Sequence, residues 1–225
     1  MPETPTFPTA RFAFDEQEID IERRTISGGT AISGEEDLIE TDGGGRVFAE
    51  FMAGPLLERE DNLAWRAIGT RFGSGTVPII VPFCDCEHQP YGNEHLVTHS
   101  DDSPFSDESE YSGGGPLATA SANAALRATT ISLDIDFPQA LLGGEWFSIE
   151  HPTKGWRAYN IMTVVAQDDT TATVTFLPPL REAVTEGDVV DFAEPRCLMR
   201  VDGRPPRKIE IGRYGEAAIR FVEAP

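Results

Sequence analysis

Apolar and polar residues alternate with a period of two along much of the chain, the pattern of strands that bury one face. Over residues 12–54 it runs through Phe12-Ala13-Phe14 and Ile19-Asp20-Ile21. Ser27-Gly28-Gly29 and Asp42-Gly43-Gly44-Gly45 cut it into strand-sized pieces. Val47-Phe48-Ala49-Glu50-Phe51-Met52 predicts a further half-buried strand. The period then changes. Leu56, Leu57, Leu63, Ala64, Trp65 and Ile68 fall at helical spacing and predict one amphipathic helix over 56–71, with Gly69 or Gly73 as its stop. Val77-Pro78-Ile79-Ile80-Val81-Pro82-Phe83 is apolar and extended, and its prolines restrict it to an edge or bulged strand.

Beyond residue 84 the patterning lapses. Residues 85–111 hold eight acids and no Lys or Arg, and Gly113-Gly114-Gly115-Pro116 closes the segment. With few apolar anchors, 85–116 reads as a long acidic loop insertion or arm. Alternation returns in Ile131-Ser132-Leu133-Asp134-Ile135. It continues through Trp146-Phe147-Ser148-Ile149, 156–161, 172–176 and Val189-Val190-Asp191-Phe192. Turn signals at 151–155, Asp168-Asp169 and Glu186-Gly187-Asp188 separate these strands, and spacing of about ten residues predicts a small antiparallel barrel or sandwich. Residues 207–211 and 216–222 complete the strand set.

The fold class expected is therefore mainly β, an antiparallel β-sandwich or barrel with one short amphipathic helix and a long acidic loop insertion. Three parts are expected: a β-rich part over 1–84, the insertion over 85–116, and a C-terminal barrel or sandwich over 117–225.

Composition narrows the functional classes. The 225 residues include 21 Gly and 17 Pro, which suits strands and turns more than long helices. A net charge of −20 repels phosphates, which argues against binding nucleic acid or an anionic membrane. The acidity suits either a solvated surface or a conduit wall past which DNA slides without adhering. Three cysteines make no disulfide framework. The start, Met1-Pro2-Glu3-Thr4-Pro5, lacks the basic and apolar regions of a signal peptide, and no apolar run approaches the roughly 20 residues of a membrane span. A soluble protein assembled in a reducing cytoplasm is expected.

One ensemble of short motifs is more specific. Gly144-Glu145-Trp146-Phe147-Ser148-Ile149, Arg157-Ala158-Tyr159, Val164-Val165, Ala172-Thr173-Val174, Pro178-Pro179-Leu180-Arg181, Gly187-Asp188 and Pro195-Arg196-Cys197 together resemble tail-tip proteins. The likeness is to the distal tail proteins of long-tailed bacteriophages (siphoviruses) and gene-transfer particles. It covers residues 137–201, with weaker support in the first 55 residues and in 218–223.

The resemblance implies a structural virion protein and no enzyme. It implies a homo-hexameric ring at the tail tip that joins the tail tube protein to a hub protein and the receptor-binding apparatus. Residues 1–84 would form the ring, and DNA would pass through an acidic lumen without specific binding. Pro178 and Pro179 fix two φ angles and withhold two ladder donors, so Pro178, Pro179, Leu180 and Arg181 are expected to make a rigid corner at a subunit boundary. Arg181 and Glu182 are either an ion pair across strands or subunits, or a solvated pair.

Candidate chemistry is sparse. Cys84, Cys86 and His88, followed by His95 and His99, gather thiols and imidazoles of the kind zinc prefers, although C-x-C is tighter than the usual ligand gap and H-E-x-x-H is absent. Adding Cys197 gives only three cysteines, too few for a four-thiolate iron–sulfur cluster in one subunit. The acids at 101–102 and 107–110 lack the ligand order of a calcium loop. No G-x-S-x-G, phosphate loop or dinucleotide fingerprint occurs. Trp65, Trp146 and Trp156 are either core residues or a sugar-stacking platform, the latter giving a carbohydrate-binding module as the rival reading. A zinc-dependent hydrolase is a third. No cofactor is expected.

Overall fold

The computed structural model describes residues 4–30, 32–40, 43–83, 87–90, 96–97, 111–112, 116–203, 207–209 and 215–225. Its strands are β1 (Glu16–Glu22), β2 (Thr25–Thr30), β3 (Glu36–Glu40), β4 (Arg46–Leu56), β5 (Ile79–Pro82), β6 (Leu96–Val97), β7 (Tyr111–Ser112), β8 (Leu117–Ala120), β9 (Thr130–Asp136), β10 (Trp146–His151), β11 (Gly155–Gln167), β12 (Thr171–Leu177), β13 (Val189–Asp191), β14 (Arg196–Val201), β15 (Arg207–Ile209) and β16 (Gly215–Glu223). Two helices, α1 (Thr9–Phe12) and α2 (Arg59–Phe72), accompany them. The protein is mainly β and antiparallel, with a closed barrel, as the alternation predicts.

The chain divides into two compact units, one of Met1–Cys84 with Arg196–Pro225, the other of Asp85–Pro195. The C-terminal barrel expected over 117–225 therefore ends before residue 196. The last three strands pair elsewhere: β16 takes β4 on one side and β14 on the other, and β14 takes β5. Local periodicity marks 196–201 and 215–223 as strands, but it carries no information about pairing with segments as distant as Pro82 from Arg196 or Phe48 from Val222.

In the first unit the strand order is β1-β4-β16-β14-β5, with β15 also on β16. β4 is long because it pairs with both β1 and β16, and it bends where Ala53, at φ 56°, adds a residue against β16. Its inward residues Val47, Ala49 and Phe51 meet Phe221 and Ile219 of β16, all buried. An aromatic cluster fills this core: Phe7 lies 4.8 Å from Phe221, Phe14 5.3 Å from Phe51, and Phe12 5.2 Å from Trp65, ring centre to ring centre. Trp65 is thus how α2 docks.

The helix begins at Arg59, three residues later than expected. Leu56 is the last residue of β4, opposite Gly215, and is itself buried. Asn62 secures the start by donating its side-chain N–H groups to the carbonyls of Leu56 and Glu58. Glu60 and Asp61 in the first turn and Arg71 in the last suit the helix dipole.

The second unit closes on itself. Around the ring run β10, β11, β12, β9, β8 and β13, and β13 returns to β10, so every barrel strand has two neighbours. Inward residues alternate along β9 (Ile131, Leu133, Ile135) and β12 (Ala172, Val174, Phe176), and Phe147 packs against Tyr159, Phe176 and Phe192. Burial of such an aromatic-rich core is the main favourable term holding the barrel. β11 carries two bulges against β12, and the residues they skip, Met162 and Val165, point outward.

Candidate interaction surface

β2 and β3 form a two-stranded hairpin arm with Ile26 opposite Ile39 and Ser27 opposite Leu38. Every described residue from 22 to 40 is exposed, including Ile26 at 55%, Leu38 at 63% and Ile39 at 52%. A lone two-stranded hairpin is marginal in water, and apolar side chains on both of its faces gain nothing from solvent.

Local chemistry fixes its two ends. Gly29, at φ 98°, absorbs the extra residue of β2 at a register shift. The chain re-enters the sheet through Gly45 at φ 89°, where a Cβ would lie 2.5 Å from Ile21 Cγ2 and 2.9 Å from the Glu22 carbonyl oxygen. Only glycine combines that backbone angle with that approach.

The sheet that bears the arm is electrically polarised. β1 carries Glu16, Glu18, Asp20 and Glu22 and no base, and all four are exposed. On the far side of β4 and β16, β14 and β15 carry Arg196, Arg200, Arg207 and Lys208 and no acid. Register places Glu18 in line with Glu50 and Arg220, and Arg200 beside Val222, so the acids of β1 and Arg200 occupy opposite flanks of one outward face.

Arg220 ties the centre of that face. Its guanidinium lies 3.7 Å from Glu22, 3.7 Å from Glu50 and 3.4 Å from Asp202, and 4.5 Å from the centre of the Phe48 ring. The arm itself adds Glu35, Glu36, Asp37 and Glu40 to the acidic flank, with no base between residues 25 and 40.

The expected corner lies at the exit of β12, and the barrel itself uses most of it. Pro178 is buried and Leu180 is 1% exposed in the core, leaving Pro179 and Arg181 half-buried at the surface. The Leu180 N–H donates to the Ala128 carbonyl, and the Arg127 N–H donates to the Leu180 carbonyl, both at 2.9 Å. The Arg181 N–H donates to the Tyr159 hydroxyl at 3.2 Å. Glu182 accepts from the Thr153 N–H, the Thr153 hydroxyl and the Lys154 N–H at 3.0–3.2 Å. Desolvation pulls the Glu182 carboxyl upward. Those three hydrogen bonds and the His151 charge outweigh it and hold the group below its ordinary range.

Tyr159 connects this corner to a buried histidine, its hydroxyl 2.7 Å from His151 Nε2. Desolvation pushes the His151 pKa below 6.5; Glu182 and Asp188 oppose the shift and Arg157 adds to it. The Tyr159 hydroxyl thus shares one hydrogen bond with Nε2 and accepts another from the Arg181 N–H. The pair braces the corner inside the barrel.

Of the metal candidates, Cys84, Cys86, His95 and His99 lie outside the described residues, and His88 is exposed in a turn. Among the described residues no group of three or more potential ligands gathers. Cys197 is buried in β14, its Sγ 3.7 Å from the Leu198 carbonyl oxygen. The tryptophan platform is not assembled: Trp65 is 3% and Trp146 6% exposed, both in cores, and Trp156 is half-buried.

A groove of about 680 Å³ beside β9 and the end of β11 is lined by Phe137, Leu141, Val164, Gln167 and Asp168. Its polar groups already serve the backbone. Gln167 accepts from the Leu141 N–H, and Asp168 accepts from the N–H groups of Thr170 and Thr171. Sequence reading missed the arm and the polarity, although the acids of 35–40 and the bases of 196–208 stand in plain sight. Strand order is what converts them into opposite flanks.

No protein-family model matches the chain, and no curated protein matches it.

Proposed function

We propose that this chain is a structural subunit of a virion tail tip, a distal tail ring subunit that self-associates and joins the tail tube to a hub and its receptor-binding proteins. The observation that carries this reading is the β2–β3 arm, a hairpin with apolar residues on both faces and no burial of its own. Such an element is stable in company and marginal alone. The motif resemblance over 137–201 supplies the kind of assembly. One further feature agrees. The net charge of −20 suits a wall along which DNA moves without adhering. The carbohydrate-binding reading loses its support with Trp65 and Trp146 in the cores.

Light scattering on the purified chain, with negative-stain images of the same fraction, tests the proposal. A ring of about six copies with an open centre is expected, as closed cyclic assemblies commonly form. A chain that stays monomeric at every concentration overturns it.

A further inference from the structure

The sheet of the first unit stops at β1. Among the described residues β1 pairs with β4 alone, so the other side of its backbone ladder is open. Both faces of this edge are incomplete. On the inward face, Ile19 and Ile21 stand opposite Ala49 and Val47, which are fully buried, yet the two isoleucines are only half-buried. The core beneath the sheet therefore runs on past its last strand. On the outward face, Glu18 lies opposite Glu50, a like charge whose own base, Arg220, stands on the far side of β4 at 3.7 Å. Like charges set directly across a strand pair are destabilising. Glu16 lies opposite Met52 and Asp20 opposite Phe48, and Glu22 alone is opposite a base, Arg46.

We infer that the open edge of β1 takes on a strand of a different protein, one in which Lys or Arg alternates with apolar residues. Strand side chains alternate between faces, so one added strand completes both. Its bases fall on the outward face beside Glu16, Glu18 and Asp20, and its apolar residues fall on the inward face beside Ile19 and Ile21. Backbone hydrogen bonds along the edge give the affinity, and the alternation gives the specificity.

A second copy does not fit this edge. Copies of a chain with 38 acids and 18 bases repel one another. Of its described strands with two bases, β14 already has β16 on one side and β5 on the other, and β15 spans three residues against seven in β1. The occupant is a separate protein with a basic strand. The contact supplies a junction of the kind the tail-tip reading calls for, and it does not depend on ring formation.

Blocked seven-residue peptides, titrated into the full chain and followed by hydrogen exchange, test this. The probe is Lys-Val-Lys-Ile-Arg-Val-Lys. One control has the same composition with its bases grouped at one end, and a second replaces every base with Glu. The alternating basic peptide should slow exchange in 16–22 by about tenfold or more and leave 130–177 unchanged. The grouped control should bind about tenfold or more weakly, because its charge is equal and its two faces are mixed. Binding of the probe should weaken by about tenfold or more as salt rises from about 0.1 M to 1 M and the Debye length falls from about 10 Å to about 3 Å. A chain carrying Glu16→Lys, Glu18→Lys and Asp20→Lys should release the basic peptide and take the Glu peptide instead, which also shows that it is folded; Glu22 is kept because it holds Arg220.

A probe that leaves 16–22 exchanging as before overturns the proposal, and so does equal binding of the grouped control, which reduces the contact to net charge. Protection at 25–40 in place of 16–22 assigns the basic strand to the arm and overturns it too. Protection of 16–22 that rises with chain concentration in the absence of peptide gives the edge to a second copy, with the same consequence. Light scattering decides the ring separately: a monomeric chain that binds the alternating peptide at 16–22 loses the ring reading and keeps this one.

Discussion

The two units treat the edges of their sheets in opposite ways. The barrel of β8 to β13 has no edge: β13 closes onto β10, and its inward residues fill one continuous core. The other unit leaves β1 at an open edge, lines that edge with acids, and extends a hairpin that nothing in its own unit buries. Acidic residues on an edge strand block indiscriminate pairing. A partner bearing the opposite charge is the one that can approach. The barrel is thus closed, while the arm-bearing sheet keeps an acidic open edge and, among the described residues, an exposed hairpin, and the same alternating pattern encodes both.

The sharpest way to separate the two is to truncate a side chain in each. Phe147 is fully buried, with Tyr159, Phe176 and Phe192 at ring-centre distances of 5.4–5.5 Å. Phe147→Ala should lower the stability of the barrel by about 3–5 kcal/mol. Urea unfolding followed by hydrogen exchange in peptides of 130–177 checks this. A loss below about 1 kcal/mol would mean that the barrel does not depend on its closed core. Association should be untouched wherever the barrel stays folded.

How far the sequence foretold each unit follows from the same contrast. Strands β9, β10, β12 and β13 were legible because each ends at a strong turn and buries its apolar positions within its own neighbourhood. β11 was legible only to Ile161; beyond it the bulges at Met162 and Val165 break the alternation. In the arm, Ile26 and Ile39 share one face and Leu38 takes the other. A period of two states which residues share a face and says nothing about whether anything covers that face. The placement of β14 and β16 beside β5 and β4 was illegible for another reason, since pairing between residues 49 and 221 leaves no local trace. At 178–181 the proline pair marks the end of β12 in the sequence, but it does not reveal that Leu180 turns into the core.

Acid should weaken the barrel before it weakens the arm's contact. His151 has its pKa below 6.5 in the folded barrel, chiefly through desolvation, and regains its ordinary value when the chain unfolds. The unfolded state therefore takes up the proton first as pH falls. The contribution is intact above about 6.5 and is lost as pH drops from there toward the folded-state pKa, by up to about 1.4 kcal/mol per pH unit. The urea midpoint of the barrel should fall between pH 7 and pH 5, and His151→Gln should flatten that slope. An unchanged slope in the variant would move the acid sensitivity elsewhere, since Asp188 and Glu182 face the same ring.

At the centre of the polarised face, Arg220→Ala should cost about 1 kcal/mol, because it removes three ion pairs and a cation–π contact that are only partly shielded from water. The loss should shrink in high salt. It should appear as faster hydrogen exchange in β4 and β16, with no change in the barrel, which shares none of these contacts. Slowed exchange, or a salt-independent loss, would mean that the acids around Arg220 are tolerated without it.

The smallest expected effect on stability is the most telling about function. Ile26 and Ile39 face each other across the arm and are both about half exposed, so Ile26→Ala with Ile39→Ala should change the folding stability of a single copy by no more than about 0.5 kcal/mol. The buried Phe147 loses its packing partners on truncation, whereas these two lose only solvent and each other. Their apolar surface is removed from water only when a partner covers it. The same double variant should therefore raise the concentration needed for assembly by about tenfold or more, two exposed methyl-rich side chains being worth roughly 1–2 kcal/mol once covered. Thermal unfolding of the dilute chain and sedimentation of the concentrated one read the two quantities separately. A large loss in the first with none in the second would make the arm a structural element of its own unit, and the comparison between a finished barrel and an unfinished sheet would fail.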